Sequence, residues 1–276
     1  MVSLSTVLGV ILGVLVISAG ILHETKDWQV FLSLGSFAVV FGGTITVTFI
    51  GFRFQYIWNT FVAALKIFLK QPISGKTLMM DVKSMLDWSK KVAAEGQGAF
   101  EAIGKQSKDE FTQYIFGLAS TGYKSDDIRE FGTNNIEEHY FRHLQETNIL
   151  SSMASMTPAF GLVGTLLGLI VMLGKLEDPS KLGPGLSLAL TATLYGLLFA
   201  RFVFLPASTK IKQTLSIERF RHYLILEGVI LIIEKKPIMF IQDKLNSFLG
   251  RREQYSMFDD KDKKGAGAPS KPSAKG

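Results

Sequence analysis

Four long runs without charged residues constrain this chain more than any other feature. No Asp, Glu, Lys or Arg occurs in residues 1–22, 28–52, 147–174 or 182–200. Each run supplies about the 20 helical residues that cross the hydrocarbon core of a bilayer. The chain has 276 residues and only 20% are charged, below the ~25% usual for soluble domains. We therefore expect an all-α integral membrane protein with four transmembrane helices and a helical cytoplasmic domain.

The four crossings follow from these runs. The first run lacks the basic start and the small-residue cleavage site of a secretory signal, so we interpret it as a retained helix. Residues 23–27 are a short connector, so the first two helices form a hairpin, and the connector 175–181 is also short. The predicted helices run from Ser3 to Leu22, from Trp28 to Gly51, from Leu150 to Gly174 and from Leu182 to Leu205.

Basic residues predict the orientation in the membrane. The two short connectors carry only Lys26, Lys175 and Lys181, whereas residues 53–146 and 207–276 carry 12 and 14 Lys and Arg residues. The positive-inside rule then places the two longer segments, and both termini, in the cytoplasm. The net charge of +6 largely reflects this orientation. It does not indicate nucleic-acid binding, because no basic stripe with interleaved aromatic residues is present.

The cytoplasmic segments have helical patterns. Met79, Val82, Met85 and Val92 recur at helical spacing. Ser125, followed by two aspartates, predicts the start of a helix that runs towards the third crossing.

A further helix is predicted after Pro206. Within it, the apolar run from Tyr223 to Ile233 is too short to span a membrane. We expect this run to be buried against the segment 53–146 or against a neighbouring subunit.

The sequence predicts five domains. They are residues 1–52 with helices 1 and 2, 53–148 as a cytoplasmic helical domain, 149–206 with helices 3 and 4, 207–250 with C-terminal helices ending in an amphipathic helix at 238–249, and 251–276 as a disordered tail.

No group of residues predicts catalysis. The chain has no cysteine, which excludes a disulfide framework, a cysteine zinc site and a thiol nucleophile. The glycines from Gly161 to Gly168 lack the Gly-Lys-Ser/Thr of a phosphate loop and lie in an apolar helix. His139 and His143 share a helix face but have no third metal ligand, so surface histidines are favoured over a zinc site. We therefore expect neither an enzyme nor a metal site.

Small and polar residues distinguish the third and fourth crossings. Pro158 removes a helical hydrogen bond and predicts a bend, and Thr165 lies seven residues later on nearly the same face. In the fourth helix, Thr191 and Thr193 point to roughly opposite sides. Thr193 shares its face with small residues and is the better candidate for a narrow polar path. The alternative is that the Thr191 and Thr193 hydroxyls bond only to the carbonyl four residues earlier.

Glycines at three- and four-residue steps predict close helix packing. The glycines concerned are Gly161, Gly164, Gly168 and Gly196.

The four runs contain no carboxylate. Proteins that couple work to ion flow normally place an ionisable group at bilayer depth. Either this protein moves no ions, or a partner helix supplies the acid.

The segment from Thr157 to Ile170, TPAFGLVGTLLGLI, resembles the hallmark of the flagellar stator subunits MotA and PomA. Further matches are the segment from Ala192 to Gly196, Pro206 with Lys210, and the segment from Glu227 to Pro237. The resemblance covers roughly residues 1–250, and the predicted topology agrees with it.

The resemblance implies a function. Such subunits form a pentamer in the bacterial inner membrane around a MotB/PomB-type partner, whose single helix supplies the ion-binding aspartate. Ion flow then drives the rotor protein FliG in motility and chemotaxis, with no cofactor other than the transported Na⁺ or H⁺. Pro158 and Pro206 match the two prolines implicated in coupling ion passage to movement.

The resemblance also bears on the ion and on the rotor contact. Sodium-type members carry threonine after the glycine matched by Gly164, as Thr165 does here, while Thr193 matches a threonine found in both types. Hydroxyl oxygens can coordinate a dehydrated hard cation, which favours sodium. The proton-driven ExbB/TolQ energisers share this Gly-Thr, so the proton remains open.

The family usually carries a basic pair directly before a glycine, five residues ahead of a glutamate. Here Gly96 and Glu101 keep that spacing, but alanines occupy positions 93 and 94. A solvated helix face is the alternative reading of the charges nearby. The candidate rotor contacts are Lys90, Lys91, Glu95 and Glu101.

Two other functions compete with a stator. One is an ExbB/TolQ-like proton-driven energiser of an outer-membrane system, which typically has one helix before the large cytoplasmic segment rather than two. The other is a membrane scaffold without ion flux, in which the glycines serve packing alone.

Overall fold

The computed structural model describes residues 4–24, 31–67, 73–178 and 182–257. These residues are helical or lie in turns and connecting segments, with no strand among them, which confirms the all-α prediction. The helices are α1 Leu4–Glu24, α2 Leu34–Gly51, α3 Phe54–Ile67, α4 Gly75–Glu95, α5 Gly98–Gln106, α6 Glu110–Ser120, α7 Ser125–Leu173, α8 Leu182–Ile233 and α9 Ile238–Asn246.

Three described helices are long and apolar enough to cross a membrane: α2, α7 and α8. The first predicted crossing corresponds to α1, which has 21 residues; that α1 spans the membrane stays a prediction. α7 begins at Ser125 with Asp126 and Asp127 in its first turn, as the sequence predicts, and continues for 49 residues to Leu173. The connectors predicted at 23–27 and 175–181 fall partly outside the described residues.

The expectation of a separate helix after Pro206 is wrong. α8 is continuous and passes through a π-helical turn, Phe199–Phe204, directly before the α-helical segment Leu205–Ile233 that contains Pro206. A proline has no N–H and its ring clashes with the carbonyl four residues earlier in an α-helix. A wider π turn at that position accommodates the proline without breaking the helix.

The chain divides into two compact units. The first unit contains residues 1–72 and 140–216, and the second contains residues 73–139 and 217–276. The described residues 53–67 therefore lie in the first unit, although the sequence assigns them to the cytoplasmic domain. In the first unit, Ile57 of α3 is buried in a cluster whose other members lie on α7 and α8: Ile149, Leu150, Met153, Phe204, Ile211 and Leu215.

The second unit has its own hydrophobic core, built from α4, α5, α6, α9 and the parts of α7 and α8 within that unit. Leu224, Val229 and Ile230 of α8 are fully buried there. The apolar run from Tyr223 to Ile233 is thus buried within the chain, the first of the two alternatives left by the sequence. Arg221 forms ion pairs with Asp81 at 2.7 Å and Asp109 at 2.8 Å.

The chain after α9 differs from the predicted disordered tail. Tyr255 N donates to Asn246 Oδ1 at 2.9 Å, and Met257 N donates to Gln242 Oε1 at 3.1 Å. Tyr255 and Met257 also pack against the core of the second unit. These two large apolar side chains give residues 251–257 buried contacts that their polar neighbours could not provide. Residues 258–276 lie outside the described residues.

Candidate functional site

Glycines bring α7 and α8 into backbone contact within the first unit. A Cβ atom added at Gly168 would lie 2.6 Å from both Ala189 N and Gly185 O. A Cβ atom at Gly196 would lie 3.1 Å from Gly161 Cα and from Thr157 O. A side chain at these positions would push the helices apart, so the predicted small residues line a close helix–helix seam. We call this the glycine seam; its members are Gly161, Gly164, Gly168, Gly185 and Gly196.

Two threonines meet at the glycine seam. Thr165 Oγ1 and Thr193 Oγ1 lie 2.5 Å apart, and Thr165 Oγ1 is also 3.1 Å from Gly161 O and 3.3 Å from Ala189 O. The Thr165 hydroxyl therefore contacts both its own helix and α8. Thr165 is half-buried, while Thr193 is exposed on the surface of the single chain. The structure thus brings together the two predicted ion-path residues.

A second hydroxyl cluster lies on the opposite face of α8. Ser36 Oγ is 2.6 Å from Thr191 Oγ1, 3.0 Å from Leu188 O and 2.9 Å from Ser33 Oγ. Ser36 is fully buried and Thr191 is 5% exposed. Thr191 Oγ1 also bonds to Ser187 O at 2.7 Å. This cluster joins α8 to the start of α2.

Tyr195 extends this second cluster. Its hydroxyl donates to Phe31 O at 2.5 Å and accepts from Ser33 N at 3.1 Å. Ser33 is the N-cap of α2, where the first N–H groups of the helix have no intrahelical acceptor. The sequence did not predict this cluster, because Ser36 and Thr191 are 155 residues apart in the chain. The available signal was Ser33 and Ser36, two hydroxyls at helical spacing inside an uncharged run.

Pro158 lies inside α7 next to a buried threonine. Thr157 is fully buried; its Oγ1 donates to Met153 O at 2.5 Å and lies 3.3 Å from Thr44 Oγ1 of α2. Pro158 itself is half-buried, and the helix continues through it. Pro206, in contrast, is exposed. The two prolines thus have different settings, one in a packed stretch of helix and one after a π turn.

The predicted rotor contacts lie in the second unit. Lys90, Glu95 and Glu101 are exposed, and Lys91 is half-buried. Lys90 Nζ is 3.5 Å from an oxygen of Asp87, and Lys105 Nζ is 2.6 Å from Glu101 Oε1. The hydrogen bond and charge of Lys105 hold the pKa of Glu101 below its usual value. α4 ends at Glu95, and Gly96 follows with φ of +70°, a conformation that glycine adopts without strain.

The histidines considered as metal ligands have other contacts. His143 Nδ1 lies 3.0 Å from Glu146 Oε1, and the ring of His139 lies 6.0 Å from that of His222. Within residues 4–24, 31–67, 73–178 and 182–257, no three or more His, Cys, Asp or Glu residues form a group that could hold a metal ion.

Comparison with known proteins decides the family. The model of the MotA/TolQ/ExbB proton channel family matches residues 103–221. The uncharacterized protein YtxD of Bacillus subtilis is 30% identical over 250 residues, which cover 90% of this chain and 91% of YtxD. The chain belongs to the MotA/TolQ/ExbB proton channel family.

Other relatives place the chain with the MotA and PomA members of this family. The chemotaxis protein PomA of Vibrio alginolyticus is 28% identical over 259 residues, which cover 93% of this chain and 99% of PomA. The structure of C. jejuni MotAB has the same fold, with a TM-score of 0.84 and 23% identity over 93% of this chain and 100% of the compared one. This MotA/PomA-like protein is thus a membrane-embedded member of a channel family and not an enzyme.

Proposed function

We propose that the chain is a stator subunit of a bacterial flagellar motor that couples cation flow to rotor torque, with sodium favoured over the proton. Its partner is a MotB/PomB-type single-helix subunit that supplies the ion-binding aspartate. Five copies of the chain surround that partner in the inner membrane. Both termini and the second unit lie in the cytoplasm, where the second unit contacts FliG.

The contact between Thr165 and Thr193 carries this proposal. It sets two hydroxyl oxygens and the carbonyl oxygen of Ala189 close together at the glycine seam. Oxygen atoms of this kind are the ligands that hard cations prefer. The runs 147–174 and 182–200 contain no acidic residue, so an aspartate from a partner helix completes the charge balance of a cation there.

The exposure of Thr193 supports a protein partner at this surface. Lipid tails offer nothing to a polar side chain, and polar groups in membrane helices face a protein neighbour or a water-filled path. A partner helix next to Thr193 would place its carboxylate beside the hydroxyl pair. Pro158 and Pro206 would then transmit the movement that ion passage causes to the second unit.

The charges of the second unit support its role in rotor contact. Exposed ion pairs contribute little to stability, so the pairing of Lys90 with Asp87 and of Glu101 with Lys105 leaves these side chains available to a charged partner. Lys91 and Glu95 lie within the next turn and a half of α4. The proposed rotor contact therefore consists of Lys90, Lys91, Glu95 and Glu101.

Rotation of tethered cells tests the proposal. The chain and its partner are expressed as the only stator, and sodium is replaced by potassium at fixed pH and fixed membrane potential. We expect the speed to fall with sodium, and Thr165→Ala to raise the sodium concentration that gives half-maximal speed. Thr46→Ala is the matched control, because Thr46 is exposed on α2 and bonds to Gly42 O of its own helix at 2.8 Å.

Three outcomes would redirect the proposal. A speed that does not depend on sodium would mean that protons drive rotation and that Thr165 is a packing residue. No rotation in either medium, with the protein confirmed in the membrane, would favour an ExbB/TolQ-like energiser. Absence of ion flux with every partner would favour a scaffold.

A further inference from the structure

We propose that Ser36, Thr191 and Tyr195 are positioning residues for the ion path: they hold α8 at the rotation that places Thr193 against Thr165. This inference rests on the proposed function, since it concerns the same hydroxyl pair. The three residues lie on α2 and α8 of the first unit, and their hydrogen bonds go to these helices and to Phe31 and Ser33 rather than to Thr165 or Thr193.

The argument begins with two hydroxyl clusters on one helix. Successive residues of an α-helix are 100° apart, so Thr191 and Thr193 point about 200° apart around α8. On one side Thr193 meets Thr165 of α7. On the other side Thr191 meets Ser36 of α2. A rotation of α8 that disturbs one contact therefore also disturbs the other.

The glycine seam does not fix this rotation by itself. Side chains that interlock resist rotation and sliding of packed helices, as ridges fitted into grooves do. Gly161, Gly168, Gly185 and Gly196 present backbone to backbone, which allows close approach but offers few interlocking side chains. The contact that gives α7 and α8 their proximity thus leaves α8 comparatively free to rotate.

The Ser36 cluster supplies the missing constraint. Hydrogen bonds are directional, and Ser36 Oγ has three oxygens within 3.0 Å, two of them on α8. Ser36 is 0% exposed and Thr191 is 5% exposed, so water cannot replace these contacts. Tyr195 adds a fixed point one turn further along α8, because its hydroxyl bonds to both Phe31 O and Ser33 N.

A small rotation of α8 would move Thr193 far enough to break its contact with Thr165. A hydroxyl roughly 4–5 Å from the helix axis moves about 2 Å when the helix rotates by about 25°. Functional groups need to be held within about 0.5 Å of their productive positions. A small rotation of α8 is therefore enough to separate Thr193 from Thr165 and to weaken cation binding.

The sodium dependence of motor speed tests the proposal. We expect Thr191→Val to raise the sodium concentration for half-maximal speed at least fivefold, at unchanged protein level in the membrane. Tyr195→Phe, which removes only the hydroxyl, is expected to give a smaller rise. Thr191→Ser keeps the hydroxyl and is expected to restore the wild-type value. The matched control Thr46→Val removes a membrane hydroxyl outside both clusters and should leave the value unchanged.

A double substitution separates positioning from general destabilisation. If Thr191 acts through Thr193, then Thr191→Val should add nothing to the effect of Thr193→Ala. Additive effects, or an equal loss in Thr191→Ser, would overturn the proposal. The proposed ion path and the positioning role of Thr191 can fail separately. If Thr193→Ala leaves the sodium dependence unchanged, the proposed ion path is wrong; if only Thr191→Val leaves it unchanged, the ion path stands and the positioning role is wrong.

Discussion

Thr165 and Thr193 lie with their hydroxyl oxygens 2.5 Å apart, although 28 residues separate them in the chain. Their proximity depends on the glycine seam, where α7 and α8 approach so closely that a Cβ atom at Gly161 would lie 3.3 Å from the Cα atom of Thr193. Packing and the candidate ion path are thus two aspects of one contact. Changes to the seam should affect both.

A cross-linking experiment can detect this contact without any assay of function. The chain has no cysteine, so Thr165→Cys with Thr193→Cys introduces the only two thiols. We expect rapid disulfide formation within one chain under mild oxidation, since the two side chains point at each other. Loss of thiol reactivity in the denatured chain measures it. The control pair, Thr165→Cys with Thr191→Cys, should not react, because Thr191 faces α2; equal reaction of both pairs would contradict the geometry.

Gly168 should not tolerate a side chain. Its added Cβ atom would meet backbone atoms of Ala189 and Gly185, which cannot rotate away. We expect Gly168→Ala to lower the free energy of unfolding by roughly 1–3 kcal/mol, as overpacking of dense interfaces does. Thermal unfolding of the purified protein measures this. Gly9→Ala is the control, because nothing lies within 4 Å of an added Cβ atom there. Equal melting temperatures for the two variants would show that the seam is loosely packed.

Pro206 should matter for coupling more than for conduction. Pro206→Ala restores the missing N–H, so the π turn Phe199–Phe204 can relax towards an ordinary α-helix. Such a change rotates the rest of α8 by about 100° relative to the membrane segment before it. We expect sodium conduction to persist while rotation is lost. Ion flux into vesicles and rotation of tethered cells are measured on the same variant. Flux that persists without rotation would show that coupling is the step affected, whereas loss of both would contradict the prediction.

The proposed rotor contact predicts an electrostatic effect. Lys90→Glu combined with Lys91→Glu should reduce torque, and charge reversal on the rotor should partly restore it. Lys108→Glu serves as the control, since Lys108 is also exposed on the second unit but lies outside the proposed contact. Swimming speed against load measures the effect. If the double variant and the control perform alike, the rotor contact lies elsewhere.

His222 should make the second unit sensitive to acid. Burial lowers the pKa of His222, against the opposing influence of Asp109 and Glu218, while Arg221 and His139 lower it further. The unfolded chain then binds more protons than the folded one below about pH 6.5. The stability from neutral His222 is therefore present above that pH and is lost as the pH falls through it.

His222→Phe should reduce this acid sensitivity. The ring of His222 stacks on that of Phe111 at 4.4 Å, and phenylalanine keeps a flat ring there without a titrating group. We expect the melting temperature to fall less between pH 7 and pH 5 in the variant than in the wild type. An identical fall in both would show that other groups dominate. Asp109 is not one of them in this range, because hydrogen bonds from Thr112 and Arg221 outweigh its burial and keep its pKa below the usual value.

Much of the architecture was predictable from local pattern. Membrane-spanning segments are long and uncharged whatever their neighbours are, so the stretches in α2, α7 and α8 are visible in the sequence. The helix start at Ser125 depends only on residues within one turn. The packing role of glycines at Gly161, Gly164 and Gly168 follows from their spacing. Each of these features depends on contacts or properties within a short stretch of chain.

Other features depended on partners that are distant in sequence. The assignment of α3 to the first unit depends on Ile57 meeting α7 and α8, and α3 alone is an ordinary amphipathic helix. The π turn Phe199–Phe204 lies directly before Pro206, but a proline can equally end a helix, so the sequence alone did not predict that α8 continues. The order of residues 251–257 depends on Tyr255 and Met257 finding the core of the second unit.

The sequence by itself determined which segments are apolar enough to enter a membrane, which helices carry small residues, and that no carboxylate lies in those runs. Only the tertiary structure decided which faces of α2, α7 and α8 meet. The sequence pattern placed Thr191 and Thr193 on opposite sides of one helix, but the rotation of that helix decided that Thr193 meets Thr165 and Thr191 meets Ser36. The physical reason is that helical periodicity specifies angles within a helix, whereas the angle between neighbouring helices follows from the sum of all their contacts.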